Sequence, residues 1–310
     1  MKPSLNHSGR SIQAFTLPEL FVVIGTLGLL ASVLLSASFT TQYQVQRAAC
    51  ASNLKQIGAA IQVYAVENND YLPITGWKNP PPTGAGFPWP TYLACRMPTF
   101  GSRMIIEGPY GLGLLFFGKE VADPRIFYCP AIQSGMFTYS PYNEPGWPWP
   151  SIPPDFALSP NPYVRCGYNY YPQARQTALV NSATYGPITL PVITPQLMVL
   201  SSPNPDDPPQ NPVRYPAPLK STDVNPAKSM TTDLLTTTFQ NLSHQSGGQP
   251  AGAHALFGDG HVLFETVAQN NRLNSLQPFD PKLWDPFSGI SSGAASDSDA
   301  FRIIMNGWRP

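Results

Sequence analysis

Hydrophobic and polar positions fall into three regimes along the chain. From Leu20 to Phe39 no side chain is charged, and about twenty such residues form a helix of about 30 Å, enough to span a bilayer. The segment before it, MKPSLNHSGRSIQA, is short, polar and positive through Lys2 and Arg10. A basic flank before the span and none for several residues after it predicts a start inside and a translocated remainder. After residue 40 the pattern turns amphipathic. Val45, Ala48, Ala49, Leu54, Ile57, Ala60, Ile61, Tyr64 and Ala65 recur mostly at spacings of three and four, with Gln, Arg, Lys and Asn between them. ENNDYLP closes the run with Asn residues and Pro73. Together these predict one continuous helix from about Pro18 to about Asn68, ~75 Å long. Its first half belongs in lipid and its second half offers a stripe for a sheet to cover.

Beyond residue 74 helical periodicity mostly stops. KNPPPTGAGFPWP, NEPGWPWPSIPPDF and SSPNPDDPPQNPVRYPAP exclude long helices and central strands and read as surface loops. A short helix is expected in YGLGLLFFGKEVAD. RIFYCP, GYNYYP, PITLPVI, MTTDLLTTTF, HALFGD and HVLFET, rich in β-branched and aromatic residues, read as strands. In AHALFGDGHVLFET two alternating segments flank Asp259-Gly260, which predicts a β-hairpin with a two-residue turn, both positions at positive φ. The tail holds a Gly/Ser/Ala/Asp linker and a short apolar end, FRIIMNGW. Whether that end docks onto the body is open at this stage.

Composition narrows the class. The formal net charge is zero, so the balance of charge does not point to nucleic acid. Charged residues are only 12% against 37 prolines, which fits a loop-rich extracytoplasmic β protein. Cys50, Cys95, Cys129 and Cys166 contain no CxxC pair, which argues against a zinc ribbon or a thioredoxin-like motif. They allow up to two disulfides in three pairings, or free buried thiols. A secretory signal peptide fits poorly, because the apolar run exceeds its usual length and no A-x-A-like site closes it. A plain anchor accounts for the length but not for Glu19, since a carboxylate within a bilayer costs roughly 2.5–3.5 kcal/mol at mid-depth and less near the interface.

The stretch AFTLPELFVVIGTLGLLA resembles the type III leader of type IV pilins and type II secretion pseudopilins. The resemblance implies cleavage by a prepilin peptidase between Ala14, where the family usually has Gly, and Phe15, followed by methylation of the new amine. It also implies that Glu19 pairs with the amine of a neighbouring subunit during filament assembly. The helix dipole favours a carboxylate at this end by about 0.3–1 kcal/mol, and Pro18 suits a first turn. RAACASNLKQIGAAIQVYAVENNDYLP resembles the branch with an H-X9-DG carboxy-terminal motif. In that branch a Cys-x-x-Asn-Leu-Lys/Arg-Gln stretch leads to Tyr-Ala. FYCP, GYNYYP and FGDGHV follow in the same order. The branch expects His, nine residues, then Asp-Gly; here position 249 is Gln, and His244 stands fifteen residues before Asp259-Gly260.

The expected fold is α+β, pilin-like: a long amino-terminal helix, membrane-spanning in its first half, packed on an antiparallel sheet with long Pro-rich loops. The expected divisions are a leader at 1–14, a membrane half of the helix at 15–39 and its soluble half and exit at 40–73. An extracytoplasmic β-rich domain at 74–275 and a tail at 276–310 complete the chain. The resemblance implies a structural subunit of a pilus-like filament or secretion pseudopilus. Its partners would be the prepilin peptidase, other pilin-like subunits and inner-membrane lipid, and no nucleic acid. The alternative is a membrane-anchored extracytoplasmic binding protein, for carbohydrate, using its Trp/Tyr/Pro-rich loops. No catalysis and no cofactor are expected, with calcium left open because some pseudopilins bind it. His254 and His261 lie across the expected turn, and imidazole with carboxylate suits zinc. Against that, the chain has four histidines and no HExxH, and Asp259 and Gly260 have a structural reason in the turn. The Asp206-Asp207 pair reads as solvated loop, and no P-loop, GxGxxG or GxSxG is present.

Overall fold

The computed structural model describes residues 16–74, 77–78, 87–88, 91–96, 108–109, 111–133, 135–143, 145–146, 148–151, 163–182, 186–191, 197–200, 213–216, 219–235, 242–267 and 295–308. Side chains at 33–40 and in several short strands are outside that description. The chain divides into two compact units, Met1–Val45 and Gln46–Pro310. The expected leader, Ala14 and Phe15, Asp206-Asp207, the Gly/Ser linker and most of the Pro-rich passages lie outside the described residues.

Helix α1, Leu17–Glu67, starts with the glutamate half of a capping box. Thr16 is the N-cap, and its backbone N–H donates to Glu19 Oε2 at 2.8 Å while its hydroxyl donates to the same oxygen at 2.7 Å. The helix stops where Asn69 and Asp70 take left-handed φ of 54° and 69°. The Asp70 N–H then reaches back to the Ala65 carbonyl at 2.8 Å, a Schellman-like closure. In the first unit Leu17, Leu20, Phe21, Val22, Val23, Ile24, Leu27, Leu29 and Leu30 are all exposed. Among the described residues no helix is long and apolar enough to cross a membrane.

The second unit is a mixed α+β body whose strands all pair antiparallel. Its main sheet has five strands: β1 (Tyr168–Tyr170), β2 (Ser229–Asp233), β3 (His244–Ser246), β4 (Gln249–Phe257) and β5 (Val262–Thr266). The order is β3-β4-β2-β1, with β5 also paired to β4. Cys50, Leu54, Ile57 and Ile61 of α1 form one core cluster with Tyr168, Tyr170, Met230 and Leu256 of the sheet. Residues one step along the same strands, Ala253, Ala255 and Phe257, belong to a second cluster with Ile303, Ile304, Met305 and Trp308. These carboxy-terminal residues come from helix α2, Ala295–Gly307, and the position after it. The sheet thus has helices on both faces, which is why β1 and β2 are buried at every position.

The tail therefore docks. The last carbonyls of α2, which have no partner within the helix, are met by side chains of the sheet layer. Ser229 Oγ and Gln173 Nε2 donate to the Met305 carbonyl at 2.8 and 3.0 Å, and Lys228 Nζ donates to that of Asn306 at 2.8 Å. A cation at a helix C-terminus is favourable on dipole grounds as well.

Several expectations need correction. Val45 is 61% exposed and Ala48 is exposed too, so the buried stripe of α1 begins at Cys50, which the apolar pattern had not included. RIFYCP is not a strand. Asp123 caps a 3-10 helix at Pro124–Phe127, its side chain accepting from the Arg125 N–H at 3.0 Å, and a proline at the first position favours that start. The hairpin exists, but its connection has three residues, Gly258 to Gly260. The Gly260 N–H donates to the Phe257 carbonyl and the Phe257 N–H to that of His261, both at 2.9 Å. Only Gly260, at φ 90°, is left-handed; Asp259 is not. This is a turn followed by a left-handed glycine, favoured because Asp259 Oδ1 accepts the His261 backbone N–H at 3.0 Å.

Ile304 is fully buried and Leu179 is 66% exposed. Ile304→Ala should lower unfolding free energy by about 2–5 kcal/mol and Leu179→Ala by no more than about 0.5, read from denaturant midpoints of the full chain.

Candidate functional site

Two places concentrate polar chemistry. The first is the start of α1. Glu19 is exposed there, its carboxylate held against Thr16 by those two hydrogen bonds. Two hydroxyls farther along spend their protons on the helix itself: Thr26 Oγ1 donates to the Val23 carbonyl at 3.0 Å and Ser32 Oγ to that of Leu29 at 2.7 Å. This stretch so presents apolar side chains and internally satisfied hydroxyls.

The second place is buried beneath the helix. Cys50, in the middle of α1, is disulfide-bonded to Cys129, 79 positions away. Asn53, one turn on, donates from Nδ2 to the Tyr128 carbonyl at 3.2 Å and to Tyr168 Oη at 3.4 Å. The Cys-x-x-Asn-Leu stretch is thereby accounted for: bridge, backbone clamp and, at Leu54, core. Gly167 lies against the same loop, and a Cβ there would come within 2.7 Å of the Cys129 nitrogen. Closing a loop of this length removes roughly 4–5 kcal/mol of denatured-state entropy on the chain-entropy account.

Against that bridge sits a carboxylate. Asp233 ends β2 with its side chain wholly buried, and both neighbouring imidazoles converge on Oδ2. His254 approaches with its backbone N–H at 2.6 Å and Nδ1 at 2.9 Å, and His244 with Nε2 at 3.2 Å. His244 Nε2 is also 3.7 Å from Cys129 Sγ. Burial pushes the Asp233 carboxyl up, but His244 and His254 outweigh it and hold it below the ordinary carboxylate range. Phe264 stands edge-on to both imidazoles, with centroids 5.6 and 4.7 Å away, and the Arg47 guanidinium lies 3.7 Å over its ring. Cys50, Cys129, Asp233 and His244 each offer one ligand atom within 4.8 Å of the others, the one such group among the described residues.

The expected site residues are therefore dispersed. His244 is in the buried cluster, while Asp259 and Gly260 form the hairpin turn. His254 and His261 do not face each other as a zinc pair would require. His254 points at Asp233, whereas His261 stacks on Phe257, centroids 4.3 Å apart, and bonds Asp259. Cys95 and Cys166 are buried and free, not a second bridge. Asp233 was missed; the signal available was an acid inside the β-branched run MTTDLLTTTF. Compared with models of known families, with characterised proteins and with solved structures, the chain matches none.

Burial pushes the Cys95 thiol up to about 12 and raises Cys166 as well, so neither supplies thiolate at neutral pH. Iodoacetamide should label no cysteine of the folded protein at pH 8. Denaturation without reductant should expose two, and denaturation with reductant all four, counted by intact mass.

Proposed function

We propose that this chain is a pilin-like or pseudopilin subunit, cleaved between Ala14 and Phe15, held in the inner membrane by the apolar part of α1, and assembled through that helix. The observation that carries the reading is the sequence AFTLPELFVVIGTLGLLA together with the exposure of large apolar side chains around the first part of α1. Apolar surface of that extent needs lipid or other protein to cover it. The capped, exposed Glu19 supports the same reading. Thr16 and the carboxylate stand at the end of the helix, where cleavage would create a positive amine at Phe15. An amine of a neighbouring copy can then exchange with the Thr16 donors. The body beyond residue 46 serves as the extracytoplasmic head, with no catalytic role.

Expression with a prepilin peptidase should yield a mature amino terminus of N-methylated Phe15 by mass spectrometry, and Phe15→Ala should alter the methylation. An intact Met1, or a cut beyond residue 30, would show a different anchor and leave the extracytoplasmic binding protein as the better account.

A further inference from the structure

We propose that Cys50, Cys129, Asp233 and His244 form a thiol-gated site for one zinc-class divalent ion: bonded to each other the two sulfurs exclude the metal, and once reduced they ligate it. Two thiolates, one imidazole and one carboxylate make a four-ligand set suited to zinc, and full burial suits a closed structural site over a catalytic one. The two edges that meet at His244 are already close to the right lengths. Tetrahedral zinc places sulfur and nitrogen ligands about 3.6 Å apart and nitrogen and oxygen ligands about 3.3 Å apart. Cys129 Sγ to His244 Nε2 is 3.7 Å and His244 Nε2 to Asp233 Oδ2 is 3.2 Å. The two sulfurs, bonded to each other here, must part to about 3.8 Å, and all four ligand atoms already lie within 4.8 Å of one another.

The surroundings fit a loaded state. His254 holds Asp233 Oδ2 through two donors, the outer-shell arrangement that orients a ligating carboxylate. With His254 occupying Oδ2, Asp233 Oδ1, buried and with no hydrogen-bond partner among the described residues, is the oxygen left to meet the ion, and a buried carboxylate oxygen without any partner is costly. In loading, a dithiol reductant delivers two electrons and two protons to the Cys50–Cys129 bond. The metal then displaces both thiol protons, and no further electron moves. The ligands come from α1, the Cys129 loop, β2 and β3, so the ion fastens the helix to the sheet where a disulfide does not persist. This site stands independently of the filament reading.

The test uses the full chain in detergent, reduced with a dithiol, desalted without oxygen and titrated with Co2+ and then Zn2+. One equivalent of Co2+ should bind with thiolate charge-transfer bands and the visible spectrum of a tetrahedral site, and Zn2+ should displace it. The oxidised protein should bind none. The Cys95→Ser/Cys166→Ser variant should behave like the parent. His244→Ala should weaken binding and change the spectrum, and His254→Gln should cost about 10- to 100-fold in affinity. If reduction unfolds the chain, metal should restore its near-ultraviolet circular dichroism. Absence of uptake by reduced protein, folded or not, overturns the proposal, as does binding lost only with Cys95 and Cys166 or unchanged in His244→Ala.

Discussion

Helix α1 carries two stretches of apolar surface, and among the described residues the chain buries only the second. From Cys50 onward one stripe is buried against the sheet. Before that, Leu17 to Leu30 present large apolar side chains outward. The two parts obey different physics. The first exposes large apolar side chains, which an apolar medium or copies of the chain would cover in the proposed assembly; the second is amphipathic and is covered by one partner surface. The Thr16–Glu19 hydrogen bonds set where the first begins and the left-handed Asn69 and Asp70 set where the second ends.

Covering the sheet on both faces imposes a second constraint. With α1 on one face and α2 on the other, β2 has no solvent side, so its polar residues must find partners inside. Ser229 and Thr232 turn to Met305 of α2. Asp233 turns to two histidines on the strands that follow. A buried carboxylate against one imidazole would be a poor source of stability. Two imidazoles, a backbone N–H and a cross-linked pair of sulfurs alongside make it a fixed point through which helix and sheet register against each other.

Local signals were readable and tertiary ones were not. The limits of α1 follow from Pro18, Glu19 and the Asn-rich exit, all of which act within a turn of their own position. The strands at GYNYYP and HVLFET follow from their β-branched and aromatic content. The choice among three cysteine pairings needs contacts 79 residues apart, which periodicity does not encode. Asp233 finds its imidazoles 11 and 21 positions later. His254 and His261 seemed paired because they flank a turn. Alternation sends His254 to the α1 side, while His261 sits on the connection and stacks on Phe257. At Asp259-Gly260 the dipeptide marks the hairpin correctly, but the Asp259 side chain, bonded to His261, selects a three-residue connection.

In the proposed assembly the first part of α1 meets its own kind and Glu19 sets how. Copies carrying Val22→Cys, co-expressed with copies carrying Leu29→Cys, should form disulfide-linked dimers on mild oxidation in membranes. Adding Glu19→Ala should remove those dimers while insertion and the mature terminus stay unchanged. Dimers unaffected by Glu19→Ala, or none with Glu19 intact, would contradict it.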